Sequence, residues 1–427
     1  MGLDFFAVVA GMIRMGYSVI CYPVICYTVG MSLFSKEKES DVVALFDVGS
    51  GSVGGAIVHT ARAHPPTVLY SFRSDIPFQE EAAGSRLLSL MLRTLSQVTQ
   101  TLLHEGFDAA GFGTHRPRVR EIFISLSAPW VLSRTSTLRL RNEEPIPITR
   151  DVFSSLLEHG EQDEDGSTKH ALPKGSVRIE QKLIRSVLNG YETASPYGKK
   201  AREAEFSIFG SFSVPHVTER ISDGVTELMH PKHVSFHSFA LVAFAALREL
   251  YPDEADFILV DVSGEQTELA VVKNHVLVET ATFPFGKNKL FRVVGKEGTM
   301  PPSGAASLFK LYAENKGAGR LFERSKKLFQ IAEAKWREQF SKALSSVSEG
   351  LFLPGTIFLT ADDDVMPLFE SAIATGDFGT FTLSSAPFRT IEITSERLGT
   401  LVTWGASVVP DPFIGLISAF INHLSRE

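Results

Sequence analysis

Two short runs of acidic and small residues carry the chemistry of this chain. The first is Asp47-Val48-Gly49-Ser50-Gly51-Ser52, an aspartate followed by a turn of glycines and serines. Glycines permit positive φ and leave backbone N–H groups uncovered, so such a turn can wrap an anion. Gly49, Ser50, Gly51 and Ser52 are the residues that would cradle a phosphate. Asp47 stands where a divalent cation beside that phosphate could be held, through water. The second run, Asp261-Val262-Ser263-Gly264-Glu265-Gln266-Thr267, repeats the pattern. Asp261 is its cation-side acid, and Ser263, Gly264 and Thr267 are its candidate phosphate loop. Both aspartates also have a structural reading, because turns at strand ends favour aspartate.

Each run needs a strand on either side to hold it. Val42–Phe46 and Gly55–Val58 flank the first, and Asp256–Val262 leads into the second. Aligned without gaps, Leu45, Asp47, Val48, Ala56 and Val58 fall on Leu259, Asp261, Val262, Ala270 and Val272. A third strand follows in both copies, Val68–Phe78 and Val276–Phe285, each ending in an apolar residue, Pro and Phe. This duplication predicts two similar α/β lobes whose turns close on one ligand from opposite sides.

Between the copies, Gln79–Glu105 has helical spacing, with Leu87, Leu88, Met91, Leu95, Val98 and Leu102 recurring. Val119–Leu126, Val131–Arg141, Ser176–Leu188 and Glu205–Pro215 read as strands, and Asp151–His159 and Val217–Met229 as helices. The acidic stretch Gly160–Gly175 reads as a solvated loop. Together these predict a small α+β unit, 118–230, inserted into a first lobe that begins at 41–117. A second lobe then occupies 231–397, with helices over His237–Leu250, Met300–Asn315 and Arg320–Ser346. A strand at Ile357–Thr360 runs into Ala361-Asp362-Asp363-Asp364. The segment 398–427 is expected to return to the first lobe, with Thr394–Val409 as a helix. Its last piece is amphipathic: Phe413, Leu416, Ile417, Phe420, Ile421 and Leu424 share one face. That face either packs on the first lobe or docks on a membrane.

The 427 residues are 44% hydrophobic and 21% charged, as in an ordinary globular protein. A net charge of -7 argues against non-specific nucleic-acid binding. Both cysteines, Cys21 and Cys26, lie in the N-terminal apolar stretch, so neither a disulfide framework nor a thiolate metal site is expected. Met15–Phe34 carries no charge and is long enough to span a bilayer. Residues 1–40 therefore read as a membrane anchor, or as an over-extended start ahead of Met31.

In this order the motifs resemble those of the actin-like ATPase superfamily, and within it the bacterial cell-division family FtsA. DVGSGSVGG (Asp47–Gly55) and DVSGEQTEL (Asp261–Leu269) are similar to the two phosphate loops. LTADDDVMPLF (Leu359–Phe369) stands where the family has its Gly-rich adenosine motif, so Ala361 and Asp362 take nucleotide-contacting positions. VLNGYETASPYGKKA (Val187–Ala201) is similar to the N-G-Y-x-x-x-x-P-x-G-K-x-A run of FtsA's inserted SHS2 subdomain. The resemblance implies a duplicated, ribonuclease H-like two-lobe fold with an SHS2-type insertion. It also implies ATP with Mg as cofactor, FtsZ or other division proteins as partners, self-assembly, and work at the cytoplasmic face of the membrane. PilM, the actin-like component of type IV pilus assembly, is the nearest alternative, a scaffold that captures a peptide of a membrane partner.

The chain departs from the family at each loop. The family's phosphate-reaching lysine is Gly54, so one charge-assisted contact is missing. Glu265 replaces a glycine of the second loop and adds bulk and negative charge. The loop's closing Asp is Glu268; in an active site, Asp261 and Glu268 would be the catalytic acids. Three carboxylates, Asp362, Asp363 and Asp364, replace the adenosine glycines. These changes predict a degenerate nucleotide pocket that keeps weak ATP binding at most and has no useful turnover; an active actin-fold ATPase is the alternative.

Overall fold

The computed structural model describes residues 40–61, 64–80, 84–114, 116–163, 172, 175–313, 320–348 and 350–426. The apolar stretch Met15–Phe34, both cysteines and the alternative start at Met31 lie outside the described residues, as does most of the acidic loop. In chain order, the first copy of the repeat gives β1 (Ser40–Val48), β2 (Ser52–Ala61) and β3 (His64–Asp75). Helix α1 (Gly84–Thr101) and β4 (Glu121–Leu126) follow. Next come β5 (Leu132–Pro147), α2 (Arg150–Asp163), β6 (Val177–Leu188), β7 (Tyr191–Glu192) and β8 (Lys200–Ser213). The chain continues through α3 (Pro215–Met229), β9 (His233–Ser238) and α4 (Phe239–Leu250). The second copy gives β10 (Phe257–Val262), β11 (Thr267–Lys273) and β12 (Val276–Phe283). It is followed by α5 (Lys287–Gly298), α6 (Pro302–Ala313), α7 (Arg320–Ser348), β13 (Thr356–Ala361) and α8 (Met366–Ala374). The chain ends with β14 (Arg389–Glu392), β15 (Thr403–Trp404) and α9 (Pro412–Arg426).

The expected duplication is present as topology. The first sheet has the order β15-β3-β2-β1-β4-β9 and the second β12-β11-β10-β13-β14. In each, two antiparallel pairings lead away from the central strand on one side, and parallel strands flank it on the other. The central strands β1 and β10 read as continuous apolar runs because helices cover both their faces. On the outer face of the first sheet, α1 and α3 pack over Phe46, Ile57 and Ile124. In the second lobe, α5 to α8 pack around Trp336, which is fully buried. A third core lies between the sheets, where α4 and α9 meet Val43 and Leu45 of one and Leu259 and Phe358 of the other. Helix α4 is apolar on nearly every side because sheets sandwich it.

Four expectations change. The strand Val119–Leu126, placed at the head of the inserted unit, is β4 and pairs in parallel with β1. Helix α3 packs with the first lobe's core, and β9, assigned to the second lobe, pairs with β4. The separate sheet is therefore narrower than 118–230. It runs from β5 to β8 in the order β5-β8-β6-β7, over its own small core of Leu138, Phe206 and Ile208. The segment Thr394–Val409 is not a helix. It makes one tight turn at Arg397–Thr400, and β15 then adds to the edge of β3. Gly399 and Gly405 weaken the helical option, and a Cβ on Gly405 would sit 3.1 Å from the Val68 carbonyl oxygen.

Helix α9 packs inward. Ile414, Leu416, Ile417, Ala419, Phe420 and Ile421 are all at most 4% exposed. Lifting that face onto a membrane would expose the core between the sheets that it covers. Among the described residues no helix is long and apolar enough to cross a membrane.

Candidate functional site

The turns after β1 and β10 face each other and touch. Ser50 Oγ lies 3.0 Å from Ser263 Oγ. The Ser50 backbone N–H donates to Ser263 Oγ at 3.1 Å, and the Glu265 N–H donates to Ser50 Oγ at 2.8 Å. Backbone donors of the kind that would cradle a phosphate thus bind serine hydroxyls across the lobe boundary. Gly51 and Gly264 stack backbone on backbone: a Cβ on Gly264 would lie 2.5 Å from Gly51 Cα. Trp130, beyond β4, donates from Nε1 to the Gly49 carbonyl at 2.8 Å and fixes the first turn.

At the cleft end of the first sheet, Asp47, Gly54 and Arg73 stand side by side in the register of β1, β2 and β3. Because Gly54 has no side chain, Arg73 reaches across it, and a Cβ there would lie 2.7 Å from its Nη2. Arg73 donates to Asp47 Oδ2 at 2.9 Å, to Ser52 Oγ at 2.8 Å and to Asp411 Oδ2 at 2.7 Å. Its guanidinium sits 4.8 Å from the centre of the Phe413 ring. The matching row of the second sheet is Asp261, Glu268 and Thr282, where a carboxylate fills the middle place. Asp261 accepts from Thr360 Oγ1 at 2.7 Å.

Burial dominates the electrostatics of these acids. It pushes Asp47 up to about 6, against the pull of Arg73. It raises Asp261 to about 7, opposed by the Thr360 hydrogen bond. Glu268 rises to about 8, through burial and then the neighbouring Asp261. Asp47 Oδ1 and Glu268 Oε2 are buried without a hydrogen-bond partner.

Glu265 does not confront the cleft as the sequence suggested. Its carboxylate turns into the second lobe, where Arg292 of α5 grips it at 2.6 and 2.7 Å and Asn288 at 3.0 Å. Helix α5 was not foreseen, so these partners were invisible. Arg292 also donates to the Gln79 carbonyl at 2.9 Å and lies against Phe78, pinning a first-lobe segment to the second lobe. Asp362 and Asp364 share Lys287 at 3.0 and 2.8 Å rather than standing bare. Thr267 is turned away from the cleft: it donates to the Phe285 carbonyl at 2.6 Å and accepts from Trp336 Nε1 at 3.1 Å. Ala361 is buried at the end of β13.

Between the turns remains a cavity of about 20 Å³. One water needs about 10–15 Å³ by this measure, whereas ligand pockets run to about 300–1,000 Å³. Of the expected site residues, Asp47, Gly49, Gly51, Ser52, Asp261, Ser263, Gly264 and Asp362 line it; Arg73, Ser127, Val262 and Phe413 complete it. The residues present do not fit ATP with Mg in this closed arrangement. The serine hydroxyls hold the Ser50 and Glu265 N–H groups, and Arg73 is bonded to Asp47, one of the two cation-side acids. A divalent ion at Asp47 would have to displace that guanidinium from its carboxylate. Among the described residues no group of three or more His, Cys, Asp or Glu could hold a metal ion.

Arg73, Trp130, Lys287, Arg292 and Asp411 were missed by sequence reasoning. Arg73 had a usable signal: pairing the three strands of the first copy puts it in line with Asp47.

No known family's sequence profile matches the chain, and no curated protein matches it. Solved structures do. The PilM-PilN type IV pilus biogenesis complex aligns with a TM-score of 0.55 at 11% identity, over 90% of this chain and 98% of that one. A diol dehydratase-reactivating factor in nucleotide-free form aligns with a TM-score of 0.47 at 10% identity, over 90% and 100% of the two chains. A Bacteroides thetaiotaomicron protein with actin-like ATPase fold and unknown function aligns at 0.36 and 9% identity, over 85% and 94%. The last two are too distant to carry an argument. The chain has the duplicated two-lobe fold of the actin-like ATPases.

Proposed function

We propose that this chain is an actin-fold scaffold that works through protein contacts and not through nucleotide turnover. The observation that carries this reading is the seal between the lobes: Ser50 and Ser263 satisfy each other's turns where a phosphate would sit. The Arg292 grip on both Glu265 and the Gln79 carbonyl supports it, because it ties the lobes together through the chain's own groups. Thr135 of β5 donates to the Leu277 carbonyl of β12, so the inserted sheet bridges to the second lobe as well.

The assembly served is of the FtsA type: division machinery at the cytoplasmic face of the membrane, with FtsZ-like partners and self-assembly. The NGY run favours this reading. Asn189, at positive φ, accepts from the Arg202 and Glu203 N–H groups at 2.9 and 3.2 Å. It builds the hairpin that presents Tyr191, 79% exposed, on the inserted sheet. That sheet, the SHS2-type unit in this reading, is the proposed contact surface. The PilM-PilN likeness favours a second reading, a pilus-type scaffold holding a membrane partner.

Titration calorimetry of the full chain with Mg–ATP tests the premise. No binding heat is expected, and micromolar affinity would overturn it. Co-purification with FtsZ or with a PilN-type peptide separates the two assemblies.

A further inference from the structure

We infer that Arg73 is a tethered cation that holds the place of a metal ion in the interlobe cleft, and that Gly54 is the residue that admits it. The inference deepens the scaffold reading and rests on it in one respect, that the cleft does not serve nucleotide.

The argument is geometric. Asp47 ends the central strand of the first sheet and is 3% exposed. One oxygen is bonded to Arg73, and the other is buried with no partner. The guanidinium crosses to Asp47 directly over Gly54, in space that a Cβ would enter to within 2.7 Å of Nη2. In the second lobe the same row holds Glu268 in the middle and Thr282 beyond it, so no cation crosses there. The two halves of the duplication have thus diverged in opposite directions at equivalent places.

Arg73 is also fixed from behind. Asp411 accepts from its Nε, and the same carboxylate caps α9 by accepting from the Phe413 and Ile414 N–H groups at 2.9 and 3.1 Å. The Phe413 ring lies against the guanidinium. A cation held this way is present at high effective concentration and loses little freedom on pairing, which a free ion cannot match. Burial works against the guanidinium charge, and pairing with Asp411 and Asp47 outweighs it.

The test uses the full chain and Mn²⁺ as probe, followed by the paramagnetic resonance of the free ion. The wild type is expected to take up no Mn²⁺ at millimolar concentration. Arg73→Ala bares Asp47 to the cavity and is expected to bind Mn²⁺ about tenfold more tightly or better, through that one carboxylate and water rather than a cage of three acids. Arg73→Ala with Asp47→Asn loses that gain. Thermal melting checks folding; if Arg73→Ala does not fold, Arg73→Gln decides, since it keeps a polar side chain between Asp47 and Asp411 and carries no charge. No gain in a folded variant overturns the inference and leaves the scaffold reading standing. Equal Mn²⁺ binding by the wild type also overturns it. Mg–ATP binding by the wild type overturns the scaffold reading instead.

Discussion

At the scale of single residues, the cleft floor is a set of acids kept out of water. Glu268 illustrates the consequence. Its folded value is about 8 against an ordinary 4.5, because burial and Asp261 disfavour its charge. Between those two values the unfolded chain releases the proton and the folded chain keeps it. Stability therefore falls as pH rises through that window, and Asp261, at about 7, adds to the fall over its lower part. Glu268→Gln keeps the shape and removes the linkage. Chemical denaturation from pH 5 to pH 8 should give a flatter profile for the variant; parallel profiles would show that Glu268 is already ionised in the fold. The sequence made Asp47, Asp261 and Glu268 legible through their place in the repeat. It did not reveal that Glu265 turns away from the cleft, because that depends on Arg292, far along the chain on a helix the pattern concealed.

At the scale of elements, strands with a continuous apolar run were readable and marginal ones were not. β1 and β10 are buried on both faces, and their composition says so. β15 is two residues long and exists only because β3 offers it an edge, so its sequence was read as part of a helix. The terminal helix had two readings of one apolar face, and packing resolves them. Phe420, 1% exposed and edge-on to His237, belongs to the core between the sheets. Phe420→Ala should lower unfolding free energy by about 3–5 kcal/mol in denaturant titration. A loss under about 1 kcal/mol would return the helix to the surface and revive membrane docking.

At the scale of the molecule, the duplication announced two lobes and a shared cleft, and both are present. What the sequence withheld is that the cleft is shut by the chain itself. The contact of Gly51 with Gly264 and the serine pair depends on how two lobes settle against α4 and α9, and no local pattern encodes that. Closure also recasts the departures from the family's loops. Arg73 crosses Gly54 to Asp47, Glu265 anchors Arg292, and Asp362 and Asp364 hold Lys287. The most direct measurement is amide hydrogen exchange at Ser50–Ser52 and Ser263–Glu265, with and without Mg–ATP. Slow exchange in the free protein, unchanged by nucleotide, is the expected result. Fast exchange that slows when Mg–ATP is added would show an open, nucleotide-responsive cleft and contradict the account.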